Sequence, residues 1–301
     1  MHPEITILGK TISLYDTMYA VGFIGMFIMC FLSRKRYKLS LPRTLVYTVY
    51  TFIAGVAGAT IMGYIYTYAL NAASGGTYDP NSRVCIFGAL LFLPVFMFIF
   101  SLFCGDTFRK LMDYMTPGIF FILAAAKFGC LLGGCCYGIA DEHGVYNANL
   151  DYTVFPVQLY ESLCTLAVVI ILLVIAYKAK KIRTGSLYPI GMILYCCARF
   201  FWENYRYYEH DFEQNYIFGL TFWQMFAVIS IIIAIIWLVI LYSVKGFKDI
   251  DLTPGRSKVA LAIDRISSDS AEKSRKKHAE KAKEHEKKAK ELKNNAKKNK
   301  E

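Results

Sequence analysis

Long apolar runs separated by short polar connections dominate the first 245 residues. A bilayer core about 30 Å thick takes roughly 20 mostly apolar residues in helix. Seven stretches meet that length, at about 14–32, 44–70, 84–104, 111–138, 157–177, 187–204 and 217–244. Thr44 to Leu70 and Ile217 to Val244 contain no charged residue, whereas the sixth stretch is short and turns polar at its C-terminal end. A soluble core accounts for one such helix, not for seven. The first stretch is too long for the apolar region of a signal peptide, and no small-x-small cleavage site follows it. The pattern therefore predicts an all-α integral membrane protein with seven transmembrane helices in residues 1–245 and a polar tail over 246–301.

Charge gives this architecture a direction. The 301 residues are 55% hydrophobic and 16% aromatic yet carry a formal net charge of +11. The last 51 residues supply +7 of it, so the basic character is local. Cytoplasmic connections are enriched in Lys and Arg. One alternate set of connections holds Arg34, Lys35, Arg36, Lys38 and Arg43, then Arg109 and Lys110, then Lys178, Lys180, Lys181 and Arg183, then the tail. The other set holds only Lys10, Arg83 and Arg206. The N-terminus is thus expected outside and the C-terminus in the cytoplasm. The tail is polar on all faces and cannot bury a core. It reads as a solvated segment, with attraction to anionic lipid as the second reading. No aromatic residues interleave its charges, so nucleic acid is not an expected partner.

Ionisable groups within membrane spans are costly and mark candidate functional sites. They are Asp16, Asp113, Lys127, Glu161, Arg199 and Glu203, with Arg206 at a boundary. Asp16 and Asp113 fall near span ends, where water reaches them. Arg199, Glu203 and Arg206 stand at i, i+4 and i+7, on one face of a helix. With the predicted topology, these three, Lys127 and Glu161 all face the outer half of the membrane and can meet. Such a cluster suits an anionic lipid headgroup, since Arg clamps phosphate in a two-pronged fork. A salt-bridge cluster that merely joins helices is the other reading. Gly129, Gly133, Gly134 and Gly138 interrupt the same part of span four and permit close packing or a cavity.

Six of the nine cysteines read as small packing residues inside spans. Cys130, Cys135 and Cys136 are denser, but they lack a paired C-x-x-C, only His143 is near, and adjacent cysteines rarely share one ion. No metal or other cofactor is expected.

The order of these residues resembles the prolipoprotein diacylglyceryl transferase family, across nearly all of 1–245. The resemblance starts with Pro3, Ile7-Leu8-Gly9, Tyr15, Tyr19 and Gly22, and continues through Ala126-Lys127-Phe128-Gly129-Cys130 to Gly138. Its most specific run is Pro156-Val157-Gln158-Leu159-Tyr160-Glu161, similar to P-x-Q-L-Y-E. Gly191, Tyr195, Arg199-Phe200, Glu203 and Arg206 resemble G…Y…R-F-x-x-E-x-x-R, and Gly219, Thr221 and Gln224 resemble the motif that opens the last helix. The resemblance implies a multi-pass enzyme of the bacterial cytoplasmic membrane. Its reaction would move the diacylglyceryl group of phosphatidylglycerol to the lipobox cysteine of a prolipoprotein, as the first step of lipoprotein maturation. It assigns Arg199, Glu203 and Tyr15 to catalysis and Lys127, Arg199 and Arg206 to the lipid phosphate. Gln158, Tyr160, Glu161 and Gly138 would orient the site.

This chain departs from the family pattern at several points. Lys127 stands where an Arg is usual, and so does Thr60. Phe87 replaces a His or Tyr, Cys130 an Asn, and Cys135 an acidic residue. Phe87 cannot move a proton, which removes a general base at that position. A divergent member with another lipid or acceptor, a membrane sensor or a transporter are the competing readings. The last span carries no Lys for a retinal Schiff base, and no inverted repeat is visible.

Overall fold

The computed structural model describes residues 4–7, 10–73, 84–179, 182–208 and 218–243. The predicted tail, 246–301, lies outside the described residues. The elements in chain order are β1 (Glu4–Ile7), β2 (Lys10–Ser13), α1 (Leu14–Ser33), α2 (Leu41–Ala73), α3 (Ile86–Cys104) and α4 (Phe108–Gly133). They continue with β3 (Ala140–Asn147), β4 (Tyr152–Val154), α5 (Val157–Lys178), α6 (Leu187–Trp202), a 3-10 turn (Glu203–Tyr205) and α7 (Phe222–Ser243).

Six of these helices, α1 to α5 and α7, are long and apolar enough to cross a membrane. The sixth expected span, α6, has only 16 helical residues. The structure is mostly helical, as expected of an all-α membrane protein, and two short antiparallel hairpins, β1 with β2 and β3 with β4, accompany the helices.

Helix α4 is the axis of the bundle. Its side chains are buried without a break from Leu111 to Phe120, and α1, α5, α3 and α6 all pack against it. The peripheral helices expose large apolar side chains, including Ile24 and Leu32 on α1, Ile53 on α2, Ile170 on α5 and Ile236 on α7. An outward apolar surface on a packed polar-ended bundle is what a lipid solvent selects, since tails compete with neither core packing nor backbone hydrogen bonds.

Span four ends at Gly133, five residues before the expected boundary at Gly138. Gly134 takes a left-handed conformation at φ 68°, and the Cys135 N–H donates to the Cys130 carbonyl at 3.1 Å. That closure stops the helix and turns the following segment across the bundle end. The last helix starts with a reciprocal cap, in which Gln224 N–H donates to Thr221 Oγ1 at 3.1 Å and Thr221 N–H donates to Gln224 Oε1 at 3.0 Å. Gln224 Nε2 also donates to Asn204 Oδ1 at 3.0 Å, tying α7 to the end of α6. The motif Thr221-x-x-Gln224 is therefore explained by capping and bracing.

Two polar networks mark the two ends of the bundle. At one, Asp106 accepts from Tyr47 at 2.6 Å and pairs with Arg43 and Lys110. Asp113, expected to be wetted, is instead buried there and accepts the N–H groups of Gly185 (2.7 Å) and Leu187 (2.9 Å). Its carboxylate holds the connection into α6. The other end holds the candidate site.

Candidate active site

Five charged side chains from three helices and one loop converge at the second end. Glu161, at the start of the second turn of α5, is the hub. Its Oε2 pairs with Lys127 Nζ of α4 at 2.7 Å, and its Oε1 pairs with Arg199 of α6 at 2.6 Å and with Arg206 at 2.7 Å. Glu203 lies behind, paired with Arg199, and its Oε2 is 3.6 Å from Arg206 Nε. All five residues are buried. Three cations share two carboxylates, leaving a surplus of one positive charge in a low-dielectric setting.

The cluster faces a cavity of about 630 Å³. Lys127, Arg199 and Arg206 line it, whereas neither carboxylate does. The anions thus back the cations and hold them forward, and the expected catalytic Glu203 touches other site residues but does not line the cavity. Tyr15 lines it, within hydrogen-bond distance of Tyr19 at 3.0 Å between hydroxyls. Next to the cavity, and sharing Tyr19, Val84 and Ile86 with it, runs an apolar groove walled by Phe52, Val56, Leu93, Ile122 and Leu123.

The sequence places Arg206 correctly but for the wrong reason. The helix ends at Trp202 and passes through the 3-10 turn, leaving Arg206 in extended backbone at φ −89°, ψ 141°. An isolated antiparallel bridge to Gly138 delivers it to Glu161. Gly138 N–H donates to Phe155 O at 3.1 Å and Ile139 N–H to Tyr205 O at 3.0 Å. A Cβ on Gly138 would stand 2.6 Å from both the Phe155 and the Tyr205 carbonyl oxygens. Neither backbone atom can step aside cheaply. Gly138→Ala is expected to lower stability by about 1–3 kcal/mol through overpacking and to displace Arg206. Unfolding in detergent, followed by tryptophan fluorescence, checks this, and an unchanged midpoint would refute it.

The remaining sequence candidates divide. Gln158 is buried and donates through Nε2 to the Cys135 carbonyl at 2.7 Å, so it holds the loop after α4. Tyr160 lies outside the cavity, half exposed, in an aromatic stack with Trp202 (centroids 4.8 Å apart) and Phe155 (5.2 Å). Of the departures, Phe87 lines the cavity and stacks on Trp223. Thr60 bonds back to the Val56 carbonyl within α2 and does not line the cavity.

A family model described as prolipoprotein diacylglyceryl transferase matches residues 3–241. The chain belongs to this family. A phosphatidylglycerol–prolipoprotein diacylglyceryl transferase of Dehalococcoides mccartyi is 28% identical over 198 residues, which cover 62% of this chain and 74% of that protein. One from Clostridium perfringens, named phosphatidylglycerol–prolipoprotein diacylglyceryl transferase 2, is 28% identical over 260 residues, covering 81% and 97%. A Legionella pneumophila relative of the first name is 25% identical over 237 residues, covering 74% and 90%.

For a prolipoprotein diacylglyceryl transferase family member, the structure adds residues that no motif singled out. Tyr208 lines the cavity and donates its hydroxyl to Glu203. Burial of that hydroxyl, and then the Glu203 carboxylate beside it, hold the phenol well above its usual pKa. It therefore remains a donor at neutral pH. Asn149 lines the cavity too, and donates to the Gly133 carbonyl at 3.2 Å. Both sit in connections with no periodicity, and only folding brings them to the site.

Proposed function

We propose that this chain transfers the diacylglyceryl group of phosphatidylglycerol to the lipobox cysteine of prolipoproteins, forming a thioether and releasing glycerol phosphate. The observation that carries this reading is the set of three buried cations lining a cavity, with both carboxylates behind them. A preorganised cationic wall in a low-dielectric site stabilises charge that gathers on a departing phosphate. The neighbouring apolar groove suits acyl chains, while the cavity leaves room for the headgroup and the acceptor peptide. Lys127 and Arg206 would hold the phosphate, and Arg199 would meet the charge as it develops. Tyr15 lies on the same wall.

The chain is placed in the bacterial cell membrane, crossing it seven times with its N-terminus outside. Helix α6 is about 24 Å long at 1.5 Å per residue, and the three residues of the 3-10 turn add about 6 Å. Together they match a hydrocarbon core of about 30 Å, which supports α6 as the sixth of seven spans. The Lys and Arg bias of alternate connections supports the orientation, and puts the cavity on the outer side.

Purified protein in vesicles containing phosphatidylglycerol with a labelled glycerol backbone tests the activity. A lipobox peptide should acquire label through its cysteine, and a serine version should not. Absence of labelling, or equal labelling of both peptides, refutes the reading. In the same assay Lys127→Arg should keep or raise the rate, because it restores a planar fork at the phosphate. A folded but inactive Lys127→Arg protein would remove Lys127 from that contact.

A further inference from the structure

Thiol chemistry needs a thiolate, and the cavity offers no evident base to make one. None of the described residues lining it is His, Asp or Glu, and Phe87 occupies the position where the resemblance has a His or Tyr. What the cavity does contain is four cysteines, and three of them form a group apart from Cys85. The Sγ atoms of Cys130, Cys135 and Cys136 lie within 4.8 Å of one another, and all three residues line the cavity.

Their spacing in the sequence argues against a shared ion, but the backbone reverses that argument. Gly134 at φ 68° and Cys136 at φ 55° are both left-handed and flank Cys135, so the chain doubles back toward Cys130 at the end of α4. A left-handed non-glycine residue costs on the order of 1–3 kcal/mol and persists only where its surroundings enforce it. Here four successive carbonyls are held by side chains from separate segments. Asn149 donates to Gly133 O (3.2 Å), Asn147 to Gly134 O (3.0 Å), Gln158 to Cys135 O (2.7 Å) and Arg206 to Cys136 O (3.1 Å). The loop that carries the thiols is built rather than incidental.

We propose that Cys130, Cys135 and Cys136 bind one zinc ion as thiolates and leave its fourth position open to the cavity, where the acceptor thiol binds. This rests on the transfer reading above. Tetrahedral zinc with Zn–S bonds near 2.3 Å sets its sulfurs about 3.8 Å apart. Pairs within 4.8 Å reach that by a closure of about 1 Å at most, and Cys135 and Cys136 are exposed. Three protein ligands with one open position are the pattern of zinc sites that act on a substrate. Lys127, Arg199 and Arg206 offset the negative charge of the zinc–thiolate group. Binding zinc releases three cysteine protons to water. The acceptor thiol then displaces a water and loses its proton to solvent water on coordination. Its sulfur attacks the glyceryl carbon, the C–O bond to phosphate breaks, and the electron pair leaves with glycerol phosphate. The thioether product is a poorer ligand and departs.

Elemental analysis and cobalt substitution of the full-length protein in detergent test the site without any lipid. One ion per chain is expected, with thiolate-to-cobalt charge-transfer absorption that shifts when a lipobox cysteine peptide is added and not when its serine version is. Cys135→Ser and Cys136→Ser should each weaken ion binding at least about tenfold without moving the thermal midpoint of the metal-free protein. No stoichiometric ion, binding that survives both substitutions, or copper(I) occupancy with no response to the peptide would overturn the proposal. Full transfer activity after chelation would remove the zinc and leave the transfer reading intact. Zinc and thiol binding with no transfer would do the reverse.

Discussion

Glu161→Gln is expected to lower stability by about 3–5 kcal/mol, the scale for breaking a buried ion pair by removing one partner. The substitution keeps the shape of the side chain and deletes only its charge. Glu161 is 3% exposed and pairs with Lys127, Arg199 and Arg206 at once. Without it, three buried cations face one carboxylate, Glu203, which lies too far from Lys127 to pair with it directly. The loss exceeds that of an ordinary surface ion pair because Glu161 and its three partners are buried, where an unpaired charge is costly. Equilibrium unfolding in mixed detergent, compared with Glu161→Asp, measures it. A change below about 1 kcal/mol for Glu161→Gln would mean that the cluster is already hydrated, and the hub role assigned to Glu161 would fall.

Arg199→Ala is expected to reduce kcat/KM for diacylglyceryl transfer by on the order of 100- to 1000-fold, the cost of removing a preorganised donor aimed at developing charge. Both carboxylates hold Arg199, Glu161 at 2.6 Å and Glu203 more closely than it holds Arg206, and Arg199 lines the cavity. Its guanidinium is therefore fixed in place before substrate arrives. The loss should fall on kcat more than on KM, because Lys127 and Arg206 still face the lipid headgroup. Arg199→Lys should recover part of the rate, keeping the charge but not the fork. Initial rates across a phosphatidylglycerol series separate the two parameters. Activity within about tenfold of the original protein would show that Arg199 only braces the helices.

The cluster itself was legible in the chain because membrane spans tolerate few charges, so Lys127, Glu161, Arg199 and Glu203 stand out against an apolar background. Even the i, i+4 pairing of Arg199 with Glu203 follows from helix geometry. Arg206 was identified by the same reasoning although the helix stops before it. Its partner in backbone pairing, Gly138, is a long way off in sequence, and such a bridge leaves no periodic trace. The expected helix through Gly138 failed for a local reason: an apolar run does not reveal that Gly134 turns left-handed. The aromatic and amide residues of the site, Tyr208 and Asn149, lie in irregular connections where hydropathy carries no positional information.

The sequence by itself determined that the chain is a bundle of long apolar helices, which charges lie within it, and how the connections alternate in basicity. Those properties depend on local composition and on the cost of moving a residue out of water, which each segment expresses on its own. Tertiary structure alone decided which charges face the cavity and which stand behind them, and it brought three cysteines of unpromising spacing into one group. Those outcomes depend on where α4 stops and which carbonyls Asn147, Asn149, Gln158 and Arg206 hold. They are long-range hydrogen bonds, formed only once the helices have packed.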